Sequence, residues 1–389
     1  MEASRKSVTI SCHCGAARQT LAPRANHDVF SGVSFCHCET CRHMTGLLCV
    51  SYAPISSHPA PSVVGLESYS TSPASTRYFC STCGCHVFRA RQPSPSAPPE
   101  EWSWEVATGI IIYAPDSKLP EKWHHLHVND TKDGGLALWL PNSPPISTPP
   151  TSPTSPSQYS NDILPASCEC KSVSLQITPP SSDPLVNPDS PYPDLLLPYI
   201  STPSDVVSNP SHEKWYLRPG TLPLTTHETA DGKSKSNATR VRYLAGTCAC
   251  PSCRLTSGFE IQTWAFVPRR NILISSSPES EHQLLDFAQL PDGVSLRQYE
   301  SSSGRMREFC ARCGATVFWH DRFRPDLIDV SAGLFRAGAG ARAESWLDWW
   351  GGRVSFSEEA GKGREGGAKV WGEGVIAELD GRFRARQQQ

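Results

Sequence analysis

Short apolar runs, each bounded by Gly, Pro, Asn or Ser, recur along the whole chain. Val173-Ser-Leu-Gln-Ile177 alternates apolar and polar with a period of two, the mark of a strand with one buried face. Ala17–Leu21, Leu47–Tyr52, Val63–Val64 and Gly109–Tyr113 in the first half also read as strands, as short runs between turn residues. So do Ile261–Val267, Ile272–Ile274 and Leu327–Val330 in the second. No long stretch carries the helical period of 3.6. The pattern therefore predicts a mostly β fold built from small, largely antiparallel sheets. Three Pro-rich segments interrupt it. Pro141 to Pro156 holds seven prolines in sixteen residues and is expected to be an extended linker, since it cannot bury enough apolar surface to order itself. Pro179 to Pro210 reads as a surface insertion, and Pro93 to Pro99 as a smaller loop. The Gly- and charge-rich tail after about Glu358 is expected to be weakly ordered.

The cysteines reveal an internal duplication. Cys12-His-Cys14 is matched by Cys168-Glu-Cys170, and Cys36-His-Cys38-Glu-Thr-Cys41 by Cys248-Ala-Cys250-Pro-Ser-Cys253. Cys80-Ser-Thr-Cys83 is matched by Cys310-Ala-Arg-Cys313. Three clusters thus appear twice in the same order, and only Cys49 and Cys85 are left over. Flanking residues repeat too: Arg42 with Arg254, Thr45-Gly46 with Ser257-Gly258, Phe79 with Phe309, and Val87-Phe88 with Val317-Phe318. Two copies of one module follow, at residues 7–140 and 163–357, joined by a Pro/Ser/Thr-rich linker at 141–162. The second copy carries an insertion at about 178–240, because 77 residues separate Cys170 from Cys248 against 21 between Cys14 and Cys36. Residues 358–389 form the tail.

Composition narrows the function. Against 36 Lys+Arg stand 38 Asp+Glu, a net charge of −2, so the basic excess of a nucleic-acid-binding surface is missing. Neither a secretory leader nor a run of about 18 apolar residues is visible. The cytoplasm is the expected compartment, with the nucleus open. In such a reducing setting, sixteen cysteines point to metal ligation or catalysis rather than disulfides.

Thiolates in fours select zinc. Seven per module divide into four plus three. Cys12, Cys14, Cys80 and Cys83 can close one tetrahedron, and Cys168, Cys170, Cys310 and Cys313 another, each a structural staple. Cys36, Cys38 and Cys41, and likewise Cys248, Cys250 and Cys253, offer three ligands with a fourth position open, as in catalytic zinc sites. The expected complement is two zinc ions per module, up to four per chain. Cys49 is the alternative fourth ligand in module one, where module two has Phe259 or a neighbour. His37 is matched by Ala249, which argues for a packed or surface histidine. Cys85 is matched by Ala315 and reads as a small buried residue. His124, His125 and His127 read as an exposed strand rather than a metal site, and Trp346, Trp349 and Trp350 as core or contact between modules.

The motifs Cys12-His-Cys14-Gly15, Cys36 to Gly46, and Phe79 to Gly84, with their second copies, resemble those of the glutathione-dependent formaldehyde-activating enzyme family, which also contains centromere protein V. The resemblance covers both modules. It implies two tandem β-tent modules, each with a structural zinc on four cysteines and a second zinc on three. It also implies carbon–sulfur lyase chemistry on a small thiol such as glutathione or an aldehyde adduct of it. The other reading is a non-catalytic, zinc-stabilised binding protein. Cys36, Cys38, Cys41, Cys248, Cys250 and Cys253 are the expected open-site ligands. Arg42 and Arg254 beside them are expected to hold a substrate carboxylate or the thiolate field, with Thr45 and Ser257 capping the chain or bonding a ligand sulfur. Module two departs from the pattern at Lys171, at Pro251 and in its insertion, so activity is expected of module one first.

Overall fold

A computed structural model describes residues 7–24, 28–94, 96–98, 101–145, 163–181, 186–219 and 241–387. Most of the expected linker (146–162) and two parts of the insertion (182–185 and 220–240) lie outside these residues, as do parts of the Pro93–Pro99 loop. The chain is mostly β, and its strands form one small and one large sheet in each half. In the first half, Gln19–Leu21, Val8–Ile10 and Ile111–Ala114 make the small sheet. The large sheet runs His124–Leu126, Ser34–Cys36, Val50–Ile55, Ser103–Ala107, His86–Arg91, Ser75–Cys80, Leu66–Ser72. The second half repeats this order, with Arg242–Cys248, Gln262–Pro268, Leu327–Ser331, Thr316–Asp321, Arg305–Cys310 and Leu296–Ser302 in its large sheet.

Register is kept between the copies. Tyr52 pairs with Ala107 across strands as Trp264 pairs with Ser331. Arg77 pairs with Arg89 as Arg307 pairs with Trp319. The expected strand at Val63–Val64 is absent: both residues are exposed, and the strand starts at Leu66. Leu66–Ser72 is a sheet edge with few apolar side chains, so hydrophobicity alone points to the wrong residues.

Two short helices follow the second cysteine clusters, α1 (Glu39–Thr45) and α2 (Pro251–Ser257). Each is capped by a cysteine sulfur, Cys38 or Cys250, which accepts the Cys41 or Cys253 amide. Each ends on a left-handed glycine, Gly46 or Gly258. Pro251 occupies the first turn of α2, where its missing N–H costs nothing and its fixed φ suits the helix. What read as a departure from the pattern is a favourable helix start.

The two modules face each other across a pseudo-two-fold contact. The His13 amide, between the first two cysteines, donates to the Leu255 carbonyl of α2 at 3.0 Å, and the Glu169 amide donates to the His43 carbonyl of α1 at 3.0 Å. Gly109 donates to Gly258, and Gly333 to Gly46, each at 3.0 Å. A Cβ on Gly84 would sit 2.5 Å from the Phe309 side chain, and one on Gly314 would sit 2.5 Å from Phe79. Only glycine allows these two rings to close over the opposite turns. Residue i meets j and j' meets i' throughout, the arrangement of a symmetric dimer interface built within one chain. Trp349 adds to it against Trp139, with ring centroids 5.4 Å apart.

The C-terminal tail corrects the expectation of weak order. Glu365–Gly366 pairs in parallel with Ile111–Ala114 of the first module. It leads into α3 (Gly367–Gln387), a helix of 21 residues. Ala368, Trp371, Val375, Ile376, Leu379 and Phe383 are buried, a helical stripe that docks on the first module. Trp371 stacks on Phe30 at 4.8 Å, and Phe383 meets Trp139 at 4.8 Å. Four glycines in the helix masked the stripe in the sequence, since glycine disfavours helix by about 1 kcal/mol per residue. Burial of the stripe outweighs it. The insertion is also more than a surface loop. Its Leu195, Trp215 and Tyr216 pack a separate small core against Leu244, Phe266 and Leu327.

Candidate functional site

Each four-cysteine group is gathered at the junction of its two sheets. The first pair lies in the turn after the opening strand of the small sheet, and the second in the turn between two strands of the large sheet. Cys12, Cys14, Cys80 and Cys83 hold their sulfurs within 4.8 Å of one another, as do Cys168, Cys170, Cys310 and Cys313. Sulfur–sulfur separations of 3.5 Å recur, between Cys12 and Cys14, Cys14 and Cys80, and Cys170 and Cys310. A tetrahedral zinc with bonds of about 2.3 Å sets its sulfurs about 3.8 Å apart, so the donor sets fit that ion. All sixteen cysteines are free thiols. Hydrogen bonds from Cys12 and Cys83 draw the Cys80 thiol down to about 2, and the bond from Cys168 draws Cys310 down to about 7. Lys171 takes the left-handed turn that Gly15 takes in the first copy, with φ of 60° and 85°. Both amides close the same bond, to Cys168 and Cys12.

The second clusters contain three sulfurs each, Cys36, Cys38 and Cys41 and then Cys248, Cys250 and Cys253. Cys49 does not join its group. It lies 3.8 Å from His37 Nε2, and strand register matches it with Ile261 rather than Phe259. His37 Nε2 is bonded to His125 Nδ1 at 3.0 Å, and His125 Nε2 to the Pro141 carbonyl at 2.8 Å. Burial, then His125 and Arg42, lower His37 to about 3, so it is a neutral, packed side chain. His124 and Leu126 are exposed on the edge strand. Cys85 is fully buried.

Arg42 and Arg254 are turned away from the sulfurs and grip the backbone instead. Arg42 Nε donates to the His37 carbonyl at 3.3 Å. Arg254 donates to the Gly109 carbonyl at 2.6 Å and to Lys362 at 3.1 Å, tying the modules together. Thr45 donates to the Cys41 carbonyl at 2.8 Å, and Ser257 to Arg254 at 3.4 Å; both satisfy helix ends.

The arginines that do reach the thiols are Arg77 and Arg307. Arg77 Nη2 lies 2.9 Å from the Cys41 sulfur, and Arg307 Nη2 lies 3.4 Å from Cys253. The Cys41 and Cys253 thiols fall well below the ordinary range, first through bonds from the other two cysteines and then through the arginine charge. Burial alone would weaken each guanidinium as an acid-base partner, but the facing Tyr52 and thiolates outweigh it at Arg77, and Cys253 and Cys250 do so at Arg307. Both arginines stand three residues before the first cysteine of the third cluster, a repeat visible in the sequence.

The copies differ in what lies above the sulfurs. In module one, Tyr52 is buried under two guanidinium groups, Arg77 at 4.9 Å and Arg89 at 4.7 Å from its ring centre. Arg89 is paired to Glu105, with one bond of 2.6 Å. In module two, Trp264, Trp319 and Asp329 hold the places of Tyr52, Arg89 and Glu105, and a cavity of about 840 Å³ opens over Cys248, Cys250 and Cys253. Its walls include Leu195 and Tyr199 of the insertion, Phe356 and Lys362 of the C-terminal segment, and His13 of module one. Cys248 and Cys250 are partly exposed in module two, and Cys38 in module one, whereas Cys36, Cys41 and Cys253 are buried. Sequence reasoning favoured module one; the cluster with two partly exposed sulfurs and the cavity over them is in module two. The insertion that counted against activity there supplies part of the wall.

Among the described residues no helix is long and apolar enough to cross a membrane. No curated protein and no solved structure matches the chain. The family model for the glutathione-dependent formaldehyde-activating enzyme matches residues 7–102 and 235–350, one stretch in each module and together more than half of the chain. By this match, the duplicated chain belongs to the glutathione-dependent formaldehyde-activating enzyme family.

Proposed function

We propose that the chain is a carbon–sulfur lyase-type enzyme that makes or breaks a thiol–aldehyde adduct, with its working site at Cys248, Cys250 and Cys253. The observation that carries this is a three-thiol cluster at the floor of an 840 Å³ cavity, with an arginine on one sulfur. Zinc is the proposed metal, two ions per module, held by the two four-cysteine sets and the two three-cysteine sets. At the open position of the module-two three-cysteine set it would supply one thing, stabilisation of a substrate thiol as its thiolate.

The remaining work falls to the chain. The Cys248–Cys253 turn, closed by the Cys250 cap on α2, holds three sulfurs to one side and leaves the cavity side for a ligand sulfur. Arg307 draws negative charge from Cys253, which lowers the electron density that a fourth sulfur must face. Once a ligand fills the cavity, the aromatic walls exclude water from the bond being made. The substrate sulfur then adds to the carbonyl carbon: a C–S bond forms, the C=O π pair moves to oxygen, and oxygen takes a proton. In the reverse direction the adduct hydroxyl loses its proton, the C–S bond breaks, and thiol and aldehyde leave. The small thiol and its aldehyde adduct are the proposed partners, and the cytoplasm the proposed compartment.

The mostly buried cluster of module one, with Arg77 on Cys41 and Tyr52 packed under Arg77 and Arg89, favours the second reading there: a zinc-bearing scaffold without turnover. Exchange spectroscopy by NMR, with formaldehyde and a thiol at equilibrium, tests the assignment. The zinc-loaded chain should accelerate adduct exchange, Cys250→Ala should abolish the acceleration, and Cys38→Ala should leave it. Loss with Cys38→Ala and retention with Cys250→Ala would reverse the assignment.

A further inference from the structure

Most charges on the wall of the module-two cavity are paired. Arg324 is paired with Asp329 at 2.7 Å, Arg305 with Asp321 at 3.3 Å, and Lys362 with Glu359 at 2.7 Å. Asp194 is 2% exposed and takes Arg353, the Ser355 hydroxyl and the Phe356 amide at 3.0, 3.1 and 2.8 Å. Its other oxygen takes the Tyr199 amide at 2.8 Å. That carboxylate ties the insertion to the C-terminal segment and fixes the far wall. Arg307 Nη2 donates to the Cys253 sulfur and the Ser252 hydroxyl, which leaves its Nε and Nη1 as unpaired cationic donors of the wall. A ligand with two carboxylates and an ammonium finds one such partner and must break existing pairs for its other charges, at a cost its own new pairs only offset.

Much of the remaining wall is aromatic surface. Trp264, Phe266, Trp319 and Phe323 come from the large sheet and the turn after it, and Leu195 and Tyr199 from the insertion. Arg324 stacks on Trp319 at 4.5 Å, which holds that indole against the cavity. At the same register, module one has Tyr52, Pro54 and Arg89, so this lining belongs to the second copy alone. A sulfur-binding floor under aromatic walls calls for a ligand with a thiol at one end and a flat or branched apolar group at the other.

Resting on the proposed function, we infer that the module-two site takes a thiol, or its carbonyl adduct, that bears an aromatic or branched apolar arm, in preference to a multiply charged peptide thiol. The insertion and the C-terminal segment set this preference by closing the wall against which the arm packs.

Calorimetric titration of the zinc-loaded full chain with benzyl mercaptan and with glutathione tests this. Benzyl mercaptan should bind at least about tenfold more tightly, as expected when an aromatic group is buried on the aromatic wall. Trp319→Arg, which places the first module's residue type on the wall, should erase that preference while glutathione affinity stays within about twofold. Phe323 is 65% exposed at the rim, so Phe323→Ala is a variant that leaves the core intact. It should weaken benzyl mercaptan alone by about threefold. Glutathione binding as tightly as benzyl mercaptan to the unmodified chain would overturn the inference while the thiol site stood. If neither thiol bound, the proposed function would fall, and this inference with it.

Discussion

The two copies of the module share cysteine clusters, register and interface, yet one cluster has a single partly exposed sulfur and the other opens on a cavity. The difference lies in three places on the sheet. Tyr52, Arg89 and Glu105 form a compact stack over the first cluster, with Arg77 completing it. Trp264, Trp319 and Asp329 at the same register leave space over the second. The extra chain also went to different places: the insertion walls the cavity of module two, whereas α3 covers module one. The two copies meet in a dimer-like contact and differ around it, with the cavity on the side of module two.

The largest effect should not distinguish the copies. Removing a structural metal forfeits binding free energy on the order of 10 kcal/mol, as much as the whole stability of a typical domain. Cys80→Ser and Cys310→Ser, or treatment with a strong chelator, should therefore abolish the cooperative thermal transition of the affected module. Differential scanning calorimetry that still showed a full native transition in either variant would break the assignment of the four-cysteine groups as staples.

Next in size is the helix that packs mainly on module one. Trp371 is 1% exposed, stacks on Phe30 and donates to Glu260 at 2.7 Å. Trp371→Ala leaves a cavity and an unpaired carboxylate oxygen, at a cost of about 3–5 kcal/mol. Hydrogen exchange should speed up in Phe35 and its strand neighbours while the core strands of module two, such as Gln262–Pro268, stay protected. Equal loss in both modules would show that the helix stabilises the contact between them rather than module one.

A smaller effect, read on activity alone, separates the arginines. Arg307→Met removes a charged donor from the sulfur beside the cavity and should lower kcat/KM by about a hundredfold. Arg77→Met, at the module-one cluster, should lower stability and leave kcat/KM within about twofold. Steady-state kinetics beside urea denaturation of the two variants makes the comparison, and matched losses of activity would dissolve the proposed division of labour.

The fold and the cysteine clusters were legible because they repeat. Fourteen cysteines in two matching sets define the clusters whatever lies between them, period-two patterning located Ser174–Ile177, and a short apolar run located Gln262–Pro268. Three things were hidden, each for a physical reason. The stripe of α3 is diluted by glycines whose cost is met only by docking on module one. The wall of the cavity comes from segments distant in sequence, which no local pattern joins. Arg42 and Arg254 lie next to the ligands along the chain, but α1 and α2 rotate them toward backbone carbonyls. Arg77 and Arg307, one strand away, reach the sulfurs. Sequence neighbourhood was the wrong measure of distance, and the repeated spacing of Arg77 and Arg307 before their Phe-Cys pairs was the better signal.

The smallest expected effect concerns the carboxylate that replaced Glu105. Burial raises Asp329 to about 6, against the partial opposition of Arg324. Its native value lies above the ordinary 3.8, so the folded protein binds this proton more readily than the unfolded chain does. The associated stability is present in full below the ordinary value and is lost as pH rises through about 6. Asp329 faces a cavity that water enters, so the loss is on the order of 1–2 kcal/mol rather than the full value of the shift. Thiolate ligands also take up protons in acid, which makes the difference between wild type and Asp329→Asn the quantity to measure, because metal loss is common to both. Urea midpoints taken between about pH 5 and 7 should show wild type losing ground to the variant as pH rises. A constant difference would mean that Asp329 stays ionised throughout, held by Arg324, and that this wall of the cavity carries a fixed charge pair as module one does with Arg89 and Glu105.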